Sequence, residues 1–80
     1  MPDAVRVLGL RELERAFARL SADHRAVIVL TYYRGMTGAQ AASALGVAPG
    51  TVASRLHHAL RSLRAALEAD NRAAFREALP

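Results

Sequence analysis

"TGAQAASALGVAPGTVASRLHHALRSLR", residues 37–64, is the stretch on which the fold turns. Thr37-Gly38-Ala39-Gln40 fits a capping box, in which a threonine hydroxyl and a glutamine side chain each satisfy a free backbone N–H at a helix start. A short helix from about Gly38 to Leu45 follows, and Gly46 ends it as the residue best able to take a left-handed cap. Val47 is an apolar plug, and Pro49 is welcome in a first helical turn because its missing N–H would have no partner there. The next helix carries Val52, Leu56, Ala59, Leu60, Leu63 and Leu67 at i, i+4, i+7, i+8, i+11 and i+15, which is one apolar face at helical period. Short helix, glycine turn and longer basic helix make a helix-turn-helix, with a small Ala42 where the helices cross and Val47 and Val52 buried under the turn.

Two helices are predicted upstream of it. Leu10, Leu13, Phe17 and Leu20 fall at i, i+3, i+7 and i+10 among Arg11, Glu12, Glu14, Arg15 and Arg19, an amphipathic pattern with a solvated charged face. Ser21 suits an N-cap and Asp23 complements the dipole of a second helix, which runs to about Arg34 and stops at Gly35. Val27, Ile28, Val29, Leu30, Tyr32 and Tyr33 leave that helix a narrow polar strip, so it is expected at the centre with both tyrosines in the core. Downstream, nothing from Thr51 to Leu79 breaks the last helix, yet Asp70-Asn71 could cap a separate one carrying Phe75 and Leu79. The fold class is therefore all-α, a bundle of four helices, or five if that cap is used. The organisation read from the chain is a leader at residues 1–9, a helix-turn-helix domain at 10–69 and a C-terminal helical extension at 70–80.

Eighty residues make one domain. The absence of cysteine excludes disulfides, thiolate metal sites and cysteine nucleophiles. The longest apolar run, Ala26–Leu30, is far short of a membrane span, and no signal-peptide pattern opens the chain, so it reads as soluble and cytoplasmic with no membrane partner. No cofactor or metal is called for. His57 and His58 are neighbours about 100° apart around a helix, whereas helical ligand pairs use i and i+4. Enzymatic work has no support, because Glu12 and Glu14 sit on an exposed face and no nucleophile has a partnered base.

Charge is unevenly placed within a net +4. From His24 to Leu67 there is no Asp or Glu, while Arg25, Arg34, Arg55, Arg61 and Arg64 all fall there. A one-signed segment of this kind suits a polyanion. With the leucine face of the last helix turned inward, its other side carries Thr51, Ser54, His57, His58 and Arg61, with Arg55 on the flank as a phosphate contact or as a strut to the preceding helix. In helix-turn-helix docking the first half of such a helix enters the major groove, where hydroxyl, imidazole and guanidinium groups meet base edges and phosphates.

"LSADHRAVIVLTYYRGMTGAQAASALGVAPGTVASRLHHALRSLRAAL", residues 20–67, resembles region 4 of bacterial sigma factors of the extracytoplasmic-function type, over roughly residues 10–67. Gly50, Thr51, Val52, Ser54, Arg55, Leu56, Ala59, Leu63 and Arg64 match the family's pattern. The resemblance implies recognition of the promoter minus-35 element, an RNA polymerase core partner engaged through the β flap, and an anti-sigma factor as inhibitor. The upstream region that such factors use to melt DNA has no counterpart here, so the chain is read as a fragment or isolated domain. Ala53 stands where the family usually has Lys or Arg, Gln40-Ala41-Ala42 where it usually has Glu-Ile-Ala, and His58 where it is strongly basic. Each departure removes affinity for DNA, and the promoter sequence does not transfer from relatives. Two other readings compete: a protein-interaction module in which the apolar excess of the first, second and fourth helices is the surface taken by an anti-sigma factor or the polymerase flap, favoured if a partner covers Leu56, Leu60 and Leu63, and the output domain of another helix-turn-helix regulator.

Overall fold

The computed structural model describes the backbone of residues 2–78 and the side chains of residues 9–70 and of Arg72. Among the described residues the structure is helical with no strand: α1 spans Pro2–Ala18, α2 Ala22–Ile28, α3 Gly38–Leu45 and α4 Pro49–Ala78. The first turns of α1 fall within the residues set apart as a leader. The open choice at Asp70-Asn71 resolves as one continuous α4 of 30 residues, about 45 Å at 1.5 Å per residue. The side chain of Phe75 and all of Leu79, assigned to a terminal helix, lie outside the described residues.

Local signals account for each boundary. The last turn of α1 tightens, with Arg19 N donating to Ala16 O and Leu20 N to Phe17 O, both at 3.1 Å. The Arg25 guanidinium reaches back to donate to the carbonyls of Ala18, at 3.3 Å, and Leu20. A helix end leaves such carbonyls without partners, and a cation there also complements the dipole. At α2, Ser21 Oγ accepts from His24 N at 3.2 Å. At α3, Gln40 N donates to Thr37 Oγ1 at 3.1 Å and Thr37 N to Gln40 Oε1 at 2.9 Å, so the capping box is complete. Gly35 and Gly46 take φ of 67° and 70°, the left-handed turns their positions demand.

After Ile28 the helix continues as a π-helical turn, Val29–Tyr33, with Arg34 N donating to Val29 O at 2.9 Å. Thr31 Oγ1 donates to Val27 O at 2.7 Å, back-bonding that competes with the regular ladder. Tyr32 and Tyr33, expected in the core, are instead 67% and 85% exposed.

Val27, Ala41, Ala42, Val52 and Ala59 form the buried cluster, with Ile28, Leu30, Met36, Leu45, Val47 and Leu56 packed around it. Every helix from α2 to α4 contributes, and the alanines let backbones approach closely. Ala16 and Leu20 bury the end of α1. Arg19, expected on a solvated face, pairs with Asp70 at 2.7 Å and ties the end of α1 to the far half of α4.

Candidate nucleic-acid interface

The helix-turn-helix is assembled from α3, the turn Gly46–Ala48 and the start of α4. Val47 N donates to Ala42 O at 3.0 Å and Gly46 N to Ser43 O at 3.3 Å, which closes α3 on the left-handed glycine. Thr51 N and Val52 N then donate to Ala48 O at 3.0 and 3.3 Å, so α4 starts immediately after the turn. Val52 is buried at its first turn and Ala59 two turns later, and these two residues fix the rotation of α4 about its axis.

That rotation sorts the sequence-derived residues. Ser54, His57, His58 and Arg61 are exposed, whereas Thr51 and Arg55 are half-buried on the flank. At 100° per residue Ser54, His57, Arg61 and Arg64 lie opposite Val52 and Ala59, and His58 sits toward one side. The imidazoles of His57 and His58 meet edge to face, ring centroids 5.4 Å apart. Arg64 is held by Glu68 at 3.4 Å, one turn along. Arginine contacts among the described residues involve Arg19, Arg25 and Arg64, leaving Arg55 and Arg61 with no ion pair or side-chain hydrogen bond. No group of three metal-binding side chains occurs among the described residues. Nor is any described helix long and apolar enough to cross a membrane.

The leucines of α4 divide. Leu56 packs against the buried cluster, Leu63 is half-buried, and Leu60, placed on the inward face from sequence, is 37% exposed. Leu63 also lines a shallow groove with Leu10, Leu13, Phe17, Val29 and Tyr32, and Glu14 is at its rim. Leu10 is 56% exposed there, although its spacing placed it on the apolar face of α1. An apolar partner surface on the first, second and last helices was expected, and the exposure of Tyr32 and Tyr33 is what sequence reasoning missed. One signal pointed to it: a buried tyrosine hydroxyl needs a polar partner, and the alanine-rich cluster offers none.

Residues 10–63, more than half of the chain, match the family model described as "Sigma-70, region 4". The chain is 60% identical over 53 residues to "ECF RNA polymerase sigma factor SigL" of Mycobacterium tuberculosis strain H37Rv, covering 66% of this chain and 30% of that protein. It is 44% identical over 61 residues to "RNA polymerase sigma-E factor" of Streptomyces avermitilis, covering 72% of this chain and 34% of that one, and a protein of the same name from Streptomyces antibioticus matches equally. The chain spans about a third of the length of the curated relatives it matches.

Proposed function

The chain belongs to the sigma-70 region 4 family, and from that premise we propose that it reads the minus-35 promoter element in transcription initiation, with the first half of α4 in the major groove. One observation carries the reading: Val52 and Ala59 are buried while Ser54, His57, His58 and Arg61 face outward from the helix that follows the turn. Thr51, Ser54, His57 and His58 serve base edges, and Arg61 and the flanking Arg55 serve phosphates. Phosphate contacts set register, and base-edge contacts supply sequence information.

Arg55 and Arg61, with no ion pair among the described residues, make a weak electrostatic anchor. RNA polymerase core, held through its β flap, supplies the rest by raising the effective concentration of the domain at the promoter, so that a contact too weak alone still fixes position. The apolar groove supports a protein contact on a different face from the DNA contact. In this reading Leu63, with the exposed Leu60 beside it, belongs to the partner surface, and Leu56 supports it from within the fold. An anti-sigma factor covering either face would silence promoter recognition.

The test measures duplex binding against salt. Each phosphate neutralised contributes about −0.9 to the log–log slope, so Arg61→Ala should flatten the slope by about 0.9. Salt-independent association would exclude the reading. The protein-interaction reading is separable: Leu10→Asp with Tyr32→Asp should abolish polymerase binding and leave the salt slope for DNA unchanged.

A further inference from the structure

The outward face of the first three turns of α4 carries no fixed charge apart from Arg55 on its flank. Between Pro49 and Leu60 its exposed residues are Pro49, Gly50, Ala53, Ser54, His57, His58 and Leu60. The half-buried Arg55 lies on the flank, and Arg61 follows only after the second imidazole. Beyond Arg55, the surface best placed to enter a groove therefore gains charge by protonation of its two histidines. Resting on the DNA-binding reading, we infer that His57 and His58 make DNA binding by this domain pH-dependent, taking up protons as the helix meets phosphate.

The surroundings leave the imidazoles to respond to DNA. The helix α3 and the turn Gly46–Ala48 carry no titratable side chain. On α4 the charged side chains one turn away are Arg55 and Arg61; Arg64 is farther and bound to Glu68. From α1, Arg19 is bound to Asp70, and Glu14 lines the apolar groove. From α2, Arg25 is engaged with the end of α1, Asp23 is exposed in the first turn, and His24 shares a cleft with Ser62, one turn along from His58. No acid is among the groups one turn from either imidazole, so the anion that can stabilise the imidazolium is one that arrives with the ligand.

A phosphate beside an imidazole favours its charged form, so binding should be tighter in acid and weaken as pH rises. A hydrogen bond from a charged donor is worth a gain on the order of tenfold, so each imidazole set on phosphate should strengthen binding about tenfold between pH ~8.5 and ~5.5.

The experiment measures binding of this chain to a pool of 20-base-pair duplexes with randomised centres, at several salt concentrations and at both ends of that pH window. The expected result is tighter binding at low pH, about tenfold for one imidazole or a hundredfold for two. The salt slope should steepen by about 0.9 for each imidazole newly set on phosphate. A His57→Gln, His58→Gln double variant, altered only at exposed positions, should lose both effects, and His24→Gln should keep both. Salt-dependent binding with the same pH profile in wild type and the double variant overturns the inference and leaves the DNA reading standing, as does loss of the effect in His24→Gln. Absence of salt-dependent binding at every pH removes the DNA reading and the inference with it.

Discussion

Gly46 and Gly50 lie four residues apart on either side of the start of α4, and the same substitution should have opposite effects at them. Gly46 has φ 70° and ψ 33°, and Gly50 is not among the glycines of positive φ. An added Cβ would meet nothing within 4 Å at either position, so neither change carries a steric clash with a neighbour. What remains is backbone conformation. Placing an L-residue in the left-handed region costs about 1–2 kcal/mol, so Gly46→Ala should lose that much. Alanine at Gly50, already in helical geometry, restricts the unfolded chain and should gain about 0.4–1 kcal/mol. For a domain of this size 1 kcal/mol moves Tm by roughly 4–8 °C, so circular dichroism melts should separate the variants by about 6 °C at the least and fall on either side of wild type. Gly35→Ala, at φ 67°, should match Gly46→Ala in stability. Equal melting temperatures for the Gly46 and Gly50 variants would refute the left-handed turn and, with it, the angle at which α4 leaves α3. The Gly50 variant adds a functional readout: more stable, yet weaker on DNA if its open side faces the duplex.

The Arg19–Asp70 pair should be asymmetric. Arg19→Ala leaves a partly buried carboxylate whose Oδ2 has no partner among the described residues, whereas Asp70→Ala leaves an exposed guanidinium in water, so the arginine variant should melt lower. The coupling from a double-mutant cycle should stay below about 1 kcal/mol, because the arginine side chain is 55% exposed. Thr37→Ala should cost about 1 kcal/mol by denaturant unfolding, with Gln40→Ala costing less, since the threonine fills the cap and the glutamine closes it reciprocally. Both tyrosines should be quenched by acrylamide at nearly the rate of free tyrosine, and protection of Tyr33 would contradict its outward placement.

The helix-turn-helix was legible because its determinants are short-range. Thr37 with Gln40, Gly46 and Pro49 each act within a few residues, and their spacing fixes geometry before packing begins. Val52 and Ala59 were likewise readable, since burial at helical period needs only one supporting layer. The tyrosines were not. A narrow polar strip says that a helix could be covered on several sides, not that it is: at about 100° per residue Tyr32 and Tyr33 point away from the buried Val27. Leu10 and Leu60 were misjudged for a related reason: an apolar stripe states what a helix can cover, and it does not state that a neighbour exists to cover it. The roles of Arg19 and Arg25 depend on partners 51 residues away and on a helix end, respectively, which charge counting does not see. Of the candidate interface, the outward placement of Ser54, His57, His58 and Arg61 follows from burial of Val52 and Ala59, and their contact with DNA awaits the salt and pH titrations.

The composition of the core explains why one helix can serve two outward faces. Val27 and Val52 are the largest fully buried side chains among the described residues, and alanines make up the rest of the cluster. A valine contributes about 1.5–3 kcal/mol when fully buried, and alanine contributes less, so the interior uses little of the circumference of α4. The stripe through Val52 and Ala59 holds the helix in place, Leu63 turns toward the groove with α1, and Ser54, His57 and Arg61 remain free on the opposite side. A larger core would have required bulkier residues at Ala59 and Ala42, pushing α3 and α4 apart at their crossing. The small core is thus what keeps the helices close and both outward faces of α4 available at once.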